Sequence, residues 1–162
     1  ADEDGIGEIY VRGANVMSGY FNDPETTAQT FDGEWFKTGD YGRIDKDGFL
    51  FFVGRKKNLI VLANGKNVSP EELEDKLIKI PYVAEVLVYE EGKRIVAEFF
   101  LNEDEFPDAR QKLKDNIHIF NSTMPIYKHI GVIKVRDVEF PKTTSLKIKR
   151  NLVTESCETK EN

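Results

Sequence analysis

The spacing of apolar residues divides this chain into two unequal parts, and that division limits the folds available to it. Residues 58–138 alternate short apolar runs with segments of helical spacing, which predicts the order strand, helix, strand, strand, helix, strand. Residues 1–53 have the patterns of strands, turns and one short helix, but no evident self-contained apolar core. We therefore expect an α+β fold in which the second part is the better-formed domain.

A capping box marks the start of the first helix in residues 58–138. The Ser69 hydroxyl can accept a free N–H of the first turn, and Pro70 occupies the first helical position, where no N–H is needed. Apolar residues then recur at helical spacing, at Leu73, Leu77 and Ile80. This segment is predicted to be a helix that packs through one face.

Similar patterns predict the remaining elements. Helices are expected after Asp23 and over residues 107–122, and a hairpin over 44–53. Other strands are expected at residues 8–12, 58–62, 83–89, 94–101 and 130–135. Asp47 and Gly48 should supply the positive backbone dihedrals of the hairpin turn. The second strand of the hairpin is predicted to be buried rather than a base-stacking surface, from the spacing of Phe49, Phe51 and Phe52.

Positive charge is concentrated in two short segments of an otherwise acidic chain. The formal net charge is −6, yet residues 141–150 carry four cations and no acid, and residues 54–58 also lack a carboxylate. Two short basic segments on an acidic protein suit a small phosphate ligand better than nucleic acid. Composition does not rank Lys142, Lys147 and Lys149, so the residues alone predict a basic loop that binds a polyanion.

A second candidate site lies in the first part of the chain. Thr38-Gly39-Asp40 places a carboxylate directly after a glycine, so the backbone can approach a ligand while Asp40 accepts both hydroxyl groups of a ribose. Arg55 could contact a diol or a phosphate through its guanidinium. The simpler interpretation is a solvated turn and a surface arginine, because short motifs often match by chance.

Several other kinds of site are not expected. Cys157 is the single cysteine, so no intrachain disulfide can form, and His118 and His129 lack the spacing of a zinc site. No apolar run approaches the roughly 18 residues of a membrane span, and the acidic N-terminus is unlike a targeting peptide. We expect a cytoplasmic protein without a transmembrane segment or a protein-held metal.

Four motifs, taken together and in order, resemble the C-terminal part of the adenylate-forming enzymes. This superfamily of AMP-binding enzymes includes acyl-CoA synthetases, luciferases and peptide-synthetase adenylation domains. The motifs are GEIYVRG with GYFNDPETT in residues 7–27, WFKTGD at 35–40, GRKK with GKNVSPEELE in 54–74, and PKTTSLKIKR at 141–150. The segment GRKKNLIVLANGKN is most similar to that of long-chain fatty acyl-CoA synthetases.

The resemblance implies a two-step ligase reaction. A fatty acid carboxylate attacks the α-phosphate of ATP, used with Mg²⁺, to give an acyl-adenylate and pyrophosphate, and the thiol of coenzyme A (CoA) then takes the acyl group. By the matching positions, Asp40 and Arg55 would bind the ribose, and Lys147 would stabilise charge at the α-phosphate. Lys57 falls at the hinge position. The CoA-channel loop would comprise Ala63, Asn64, Gly65, Lys66 and Asn67.

The same resemblance implies a domain organisation. Residues 1–53 would be a remnant of the β-rich subdomain of a large N-terminal domain, 54–57 a hinge, 58–153 the small C-terminal domain and 154–162 a polar tail. The small domain would contain a short antiparallel hairpin and a mainly antiparallel three-stranded sheet packed with helices. Its partner would be the large domain of the same polypeptide, which would supply the Mg²⁺ ligands and the acyl site.

No phosphate loop or acyl tunnel is evident, so the chain is expected to be a fragment that is inactive alone. The parent enzyme would be cytoplasmic and could lie peripheral to the membrane. The family's lysine motif usually has glycine before the lysine, whereas this chain has Leu146. Two alternatives stay open: a non-catalytic module that binds a nucleotide or phosphate, and part of an adenylation unit that loads a carrier protein.

Overall fold

The computed structural model of this chain describes residues 5–62 and 65–158, with side chains up to Thr154 at the C-terminal end. The chain divides into two compact units, the first ending at Leu59 and the second beginning at Ile60. None of the helices in these described ranges combines the length and the apolar composition that a membrane crossing requires.

The first unit is a small antiparallel sheet with one short helix. Its elements are β1 (Gly7–Val11), α1 (Pro24–Thr30), β2 (Phe31–Asp32), β3 (Trp35–Ile44) and β4 (Leu50–Arg55), followed by a 3-10 turn at Lys56–Asn58. Strand β3 pairs antiparallel with β1, β2 and β4. The Asp23 side chain accepts the Thr26 N–H at 2.9 Å, so α1 begins where the sequence predicts.

The turn between β3 and β4 forms at the predicted place, but it is closed differently. Gly48 has a positive φ of 86°, whereas Asp47 does not adopt a positive φ. The Asp45 carboxylate accepts the N–H groups of Asp47 and Phe49, both at 2.9 Å. The prediction that both turn residues have positive dihedrals is wrong, because the Asp45 side chain closes the turn with a single glycine.

The first unit lacks a closed apolar core. Among its described residues, 5–59, no hydrophobic side chain is fully buried. Phe49, Phe51 and Phe52 are 66%, 44% and 58% exposed, so the prediction of a buried strand is wrong here. These residues have the spacing of a covered strand, but none of the described elements covers them. A strand with exposed apolar side chains on both faces is stable only when it packs against further protein.

The second unit is a larger mixed domain. Its elements are β5 (Ile60–Val61), β6 (Asn67–Val68), α2 (Pro70–Leu77), β7 (Val83–Glu91), β8 (Arg94–Leu101), α3 (Ala109–Ser122), a 3-10 turn (Ile126–Lys128), β9 (Val132–Arg136) and α4 (Arg150–Glu158). Strands β5 and β6 form an antiparallel hairpin, β7 pairs antiparallel with β8, and β8 pairs parallel with β9. The expected α+β class, with a hairpin and a three-stranded sheet packed with helices, is confirmed.

Helix α2 follows the predicted capping box, whereas α4 has no counterpart in the sequence prediction. Ser69 Oγ accepts the Glu72 N–H at 3.3 Å, with Pro70 at the first helical position. Residues 154–158, predicted to belong to a polar tail, are helical. The helix forms because Val153 is buried and holds the start of α4 against the sheet.

Strand β8 supplies side chains to two apolar clusters, one on each face of the sheet. The larger cluster also includes residues of α2 and α3, and its members from β8 are Ile95, Ala97, Phe99 and Leu101. The smaller cluster contains Val96 of β8 together with Leu87, Tyr89, Phe140 and Val153. Because side chains alternate between the two faces of a strand, Phe140, which precedes the lysine motif, and α4, which follows it, pack on the second face of the sheet.

Because only the second unit has a buried core, we predict faster amide hydrogen exchange in β3 than in β8. Amides of β3 should exchange at least about 100-fold faster than those of β8, since local opening is easiest where few apolar contacts are lost. Hydrogen exchange of this chain, followed by mass spectrometry at neutral pH, measures both strands. Uniformly slow exchange across β3 and β8 in a monomer would contradict the prediction.

Candidate functional site

Asp40 and Arg55 lie opposite each other on neighbouring strands of the first unit. They are register partners of β3 and β4, and Arg55 Nε lies 3.0 Å from Asp40 Oδ1. The Asp40 side chain is 26% exposed and the Arg55 side chain 55%. The structure therefore brings together two residues that are fifteen positions apart in the sequence and were each predicted to contact a ribose.

A β-bulge sets the direction of Asp40. Glu8 pairs with Tyr41 and Tyr10 pairs with Lys37, so three residues of β3 lie opposite one residue of β1. Gly39, inside this bulge, has a φ of 70°, a backbone conformation that glycine adopts without strain. The alternative of a solvated turn is therefore wrong, because the Thr38-Gly39-Asp40 motif is a distortion within a paired strand.

The Thr38 hydroxyl fixes the bulge through two hydrogen bonds. Its Oγ1 donates to the Ile9 carbonyl at 2.8 Å and accepts the Asp40 N–H at 3.0 Å. A threonine in this position replaces ladder bonds that the bulge removes. Thr38 and Gly39 thus have a structural role, and the Asp40 side chain is left for a ligand.

One carboxylate oxygen of Asp40 is buried without a hydrogen bond. Arg55 approaches Asp40 Oδ1 within ion-pair distance but outside hydrogen-bonding geometry, and no other described group donates to this atom. Buried acceptors of this kind are uncommon in native proteins and are costly when left unpaired. The Asp40 side chain as a whole is 26% exposed, so a hydroxyl group of a bound molecule, such as a ribose diol, could reach the carboxylate from solvent beside its ion pair with Arg55.

The predicted hinge residue, Lys57, lies in the 3-10 turn at the end of the first unit. Its side chain is exposed, and the turn is closed by a bond from the Leu59 N–H to the Arg55 carbonyl at 3.1 Å. The preceding Lys56 is paired with Glu8 at 2.6 Å, and that hydrogen bond raises the pKa of Lys56. Whether the chain pivots at Lys57 stays a prediction.

The predicted CoA-channel loop closes the β5–β6 hairpin, and two of its members, Ala63 and Asn64, lie outside the described residues. Gly65 has a φ of 77° and donates to the Leu62 carbonyl at 2.8 Å, while the Lys66 carbonyl accepts the Leu62 N–H at 3.0 Å. Lys66 Nζ lies 5.3 Å from the centre of the Tyr127 ring. Asn67 begins β6 and pairs with Val61.

Lys147 lies in a short hairpin of residues 141–149, which we call the lysine hairpin. Two backbone bonds of 2.8 Å close it, from the Lys149 N–H to the Pro141 carbonyl and from the Thr143 N–H to the Lys147 carbonyl. The Lys147 N–H also donates to Thr143 Oγ1 at 3.2 Å. The Lys147 side chain is exposed, so its ammonium group is accessible to a ligand.

The structure distinguishes Lys142 from the other two lysines that composition could not rank. Lys142 forms ion pairs with Glu85 and with Glu139, the latter at 2.7 Å. Hydrogen bonds to Glu139 and Glu85 raise the pKa of Lys142. Lys142 is therefore occupied in holding the base of the lysine hairpin, whereas Lys147 and Lys149 are exposed.

Leu146, which departs from the family pattern, has an unfavourable backbone conformation. Its φ is 61°, in the left-handed region that costs a residue with a Cβ roughly 1–2 kcal/mol. The side chain is 78% exposed, so packing does not offset this cost. The structure thus gives a physical reason for the glycine usually found at this position in the family that the sequence resembles.

Arg150 connects the end of the lysine hairpin to α2 and β7. Its Nη2 contacts a Glu74 carboxylate oxygen, and its Nη1 donates to the Val88 carbonyl at 3.0 Å. Burial raises the pKa of Glu74, and this effect is opposed by the Arg150 guanidinium and the Val88 N–H. Both residues lie in motifs that carry the family resemblance, but their pairing was not predicted, since an acidic residue on a helix and an arginine 76 positions later give no signal of contact.

The described parts of the chain contain no cluster of three or more histidine, cysteine, aspartate or glutamate side chains that could hold a metal. A groove of about 510 Å³ lies between α3 and β9 and is lined mainly by apolar side chains, including Leu113, Ile117 and Ile133. It contains none of the predicted site residues. Among the predicted site residues that the structure describes, Arg55, Lys57 and Lys147 are exposed.

Comparisons with known proteins identify relatives along most of the chain. The long-chain-fatty-acid–CoA ligase FadD15 of Mycobacterium tuberculosis is 47% identical over 90 residues, which cover 56% of this chain and 15% of that protein. The 2-succinylbenzoate–CoA ligase of Bacillus pumilus is 34% identical over 149 residues, which cover 90% of this chain and 29% of that protein.

A solved structure of similar fold is the o-succinylbenzoate CoA synthetase MenE of Bacillus subtilis in complex with its acyl-adenylate intermediate. It matches with a TM-score of 0.79 and 34% identity, over 94% of this chain and 31% of that one. The same enzyme in complex with ATP and a magnesium ion matches with a TM-score of 0.78 and 33% identity, over 95% of this chain and 31% of that one.

The fold and the ordered motifs therefore define the class as the adenylate-forming ligases. The family model of the AMP-binding enzyme C-terminal domain matches residues 57–160, and the chain belongs to this family. The chain spans less than a third of the length of the relatives described above. What those enzymes do as whole proteins bears on this chain only through the proposal below.

The strain at Leu146 leads to a prediction that compares two substitutions. Both Leu146→Gly and Leu146→Ala remove the exposed side chain, but only glycine removes the Cβ that clashes at positive φ. Leu146→Gly should therefore be more stable than Leu146→Ala by about 0.5–1 kcal/mol, the reverse of their usual order. Urea unfolding followed by circular dichroism gives both values. An alanine variant that is the more stable of the two would show that the position is unstrained.

Proposed function

We propose that this chain is the C-terminal part of an ATP-dependent long-chain fatty acid–CoA ligase. In this proposal residues 1–53 belong to the large domain, residues 54–57 form the hinge, and residues 58–153 form the small C-terminal domain. The parent enzyme joins a fatty acid to ATP, which gives acyl-AMP and pyrophosphate, and then transfers the acyl group to CoA. The chain alone lacks the rest of the large domain and is inactive.

The pairing of Asp40 with Arg55 carries the nucleotide-binding part of the proposal. The bulge around Gly39 presents the partly exposed Asp40 carboxylate beside Arg55, where it could accept a ribose hydroxyl. The Arg55 guanidinium can donate to a second ribose oxygen or to the phosphate. ATP, rather than a simple phosphate, has both of these groups.

The exposed apolar side chains on both faces of β4 support the assignment of residues 1–53 to a larger domain. Three phenylalanines of this strand region are between 44% and 66% exposed, and the first unit has no buried hydrophobic side chain among its described residues. Covering these side chains with the missing part of the large domain would bury apolar area at about 25 cal/mol per Å². The same contact would align β3 and β4 relative to the nucleotide.

Lys147 has the features required to stabilise charge at the α-phosphate. Its ammonium is exposed in a closed hairpin, and it contributes by electrostatics rather than by forming a covalent bond. Lys57 would then be the hinge about which Lys147 moves away after adenylation. Gly65 would let the loop backbone approach the pantetheine arm of CoA. Mg²⁺ bound with ATP would neutralise phosphate charge in the first step.

Two carboxylate substrates are represented among the relatives, and the fatty acid is the first candidate. The higher identity, 47%, is to the long-chain enzyme FadD15, although over only 90 residues. The second candidate is an aromatic acid, favoured by the longer alignment to the 2-succinylbenzoate–CoA ligase, which covers 90% of this chain. The residues of an acyl-binding pocket would decide between them.

The catalytic assignment is tested by Lys147→Ala in the full-length parent protein. The rate of acyl-adenylate formation, measured as release of pyrophosphate, should fall on the order of 100- to 1,000-fold, because one preorganised charge at the reacting phosphate is lost. Lys149→Ala is the matched control, since Lys149 is exposed in the same hairpin, and it should change the rate less than about threefold. Equal activity of Lys147→Ala and the natural protein would favour a non-catalytic nucleotide-binding module.

The acyl substrate and the acceptor are tested with the same parent protein. We expect kcat/KM for a C16 fatty acid to exceed that for 2-succinylbenzoate by at least about 100-fold, with CoA as the acceptor. A preference for the aromatic acid would select the second candidate. Acyl transfer to a carrier protein but not to CoA would show that the chain belongs to an adenylation unit instead.

A further inference from the structure

We propose that Arg150 is a positioning residue for Lys147 and acts through its contacts with Glu74 and Val88. This inference rests on the proposed function, in which Lys147 stabilises the adenylation step. Arg150 lies at the point where the lysine hairpin ends and α4 begins. Its proposed role is to hold the hairpin in one orientation relative to the sheet.

Three contacts form a closed cluster around Arg150. One guanidinium nitrogen contacts Glu74, and the other donates to the Val88 carbonyl at 3.0 Å. The Val88 N–H in turn donates to Glu74 Oε1 at 2.6 Å. The side chains of Arg150 and Glu74 are 24% and 17% exposed, so water competes only weakly for these bonds.

The other end of the lysine hairpin is held on the same strand. Glu85 of β7 accepts the Phe140 N–H at 2.8 Å and also forms an ion pair with Lys142. Phe140 is 2% exposed and lies in the apolar cluster that Val153 of α4 joins from the other side of the hairpin. Both ends of the hairpin are therefore fixed to β7, while the described residues between Thr143 and Lys147 remain exposed.

Arg150 is close enough along the chain to control the direction of Lys147. Ile148 forms a bridge with Lys142, and Lys149 donates to Pro141, so residues 147–150 continue from a closed hairpin directly into the cluster. Rotation of the hairpin about its base is then resisted on one side by Glu85 and on the other by Glu74. An error of about 1 Å in the position of a reacting group can lower a rate about 100-fold.

Glu74 is itself on a firmly packed element. Helix α2 begins directly after β6, and its Leu73 and Leu77 side chains have no exposed area. The acidic partner therefore cannot follow Arg150 if the hairpin shifts. Glu74 differs in this respect from the exposed carboxylates that pair with other basic residues of the chain, because an exposed carboxylate can move with its partner.

Arg150→Lys in the full-length parent protein tests the inference. Lysine keeps the positive charge, but its single ammonium cannot reproduce the guanidinium's contacts with both the carboxylate and the carbonyl. We expect acyl-adenylate formation to fall about 10- to 100-fold, mainly in kcat. Thioester formation from added acyl-adenylate, which does not need Lys147, should change less than about threefold. A general structural defect would lower both half-reactions together.

Lys128→Gln is the matched control. Lys128 pairs with Glu72 of the same helix at 2.6 Å and its side chain is 17% exposed, so the substitution removes a similarly buried ion pair without touching the lysine hairpin. It should leave adenylate formation within about threefold of the natural protein. Glu74→Gln keeps the shape of the side chain and should show the same selective loss of acyl-adenylate formation as Arg150→Lys. It provides a second test if Arg150→Lys does not fold.

Amide exchange on the 162-residue chain gives a readout that does not depend on activity. The N–H groups of Thr143, Leu146 and Lys147, which are bonded within the hairpin, should exchange at least about fivefold faster in Arg150→Lys than in Lys128→Gln. Unchanged exchange and unchanged adenylation in Arg150→Lys, while Lys147→Ala is inactive, would overturn the positioning role and leave the proposed function intact. Full activity of Lys147→Ala would instead overturn the proposed function, and the inference with it.

Discussion

The burial of β8 on both faces is the constraint on which the second unit depends. One face of this strand packs under α2 and α3, and the other meets Phe140 and Val153 on either side of the lysine hairpin. Alternating side chains of a single strand thus support both the main core and the segment that carries Lys147.

The first unit has a different physical character. The geometry of its candidate site is local, since a three-residue bulge and one cross-strand pair are enough to set Asp40 beside Arg55. Its stability is not local, because the apolar side chains of β4 are left exposed. The residues proposed to bind the nucleotide therefore lie on a sheet that needs further protein, whereas the lysine hairpin is held by its own unit.

The secondary structure of the second unit could be predicted from the sequence because its elements have strong periodicity or caps. The Ser69-Pro70 start of α2 and the apolar runs of β7 and β8 are examples, and the class of fold followed from their order. Contacts between distant residues could not be predicted in the same way. The pairing of Arg150 with Glu74, the closed turn at Asp45 and the exposure of Phe51 depend on which surfaces meet, and no local pattern encodes that.

The candidate site likewise contains residues that the sequence predicted and contacts that only the structure shows. Lys147, Asp40 and Arg55 were found because their motifs resemble those of a family, and the structure adds that Lys142 is already paired and that Gly39 lies in a bulge. Glu85, which belongs to no motif, and the pairing of Glu74 with Arg150 are seen only when the hydrogen bonds of the hairpin are traced to β7 and α2. Residues that orient a reactive group leave little trace in sequence, since any suitably placed carboxylate would serve.

The mixed pairing of the three-stranded sheet has a consequence for the order in which the second unit folds. Strands β7 and β8 are joined by a tight turn and form from neighbouring residues, whereas β9 pairs parallel with β8 only after a crossover through α3. Short loops close sooner than long ones, so the β7–β8 ribbon is expected to assemble early and β9 late. The strand that receives both ends of the hairpin thus belongs to the part of the domain that a growing chain can complete first.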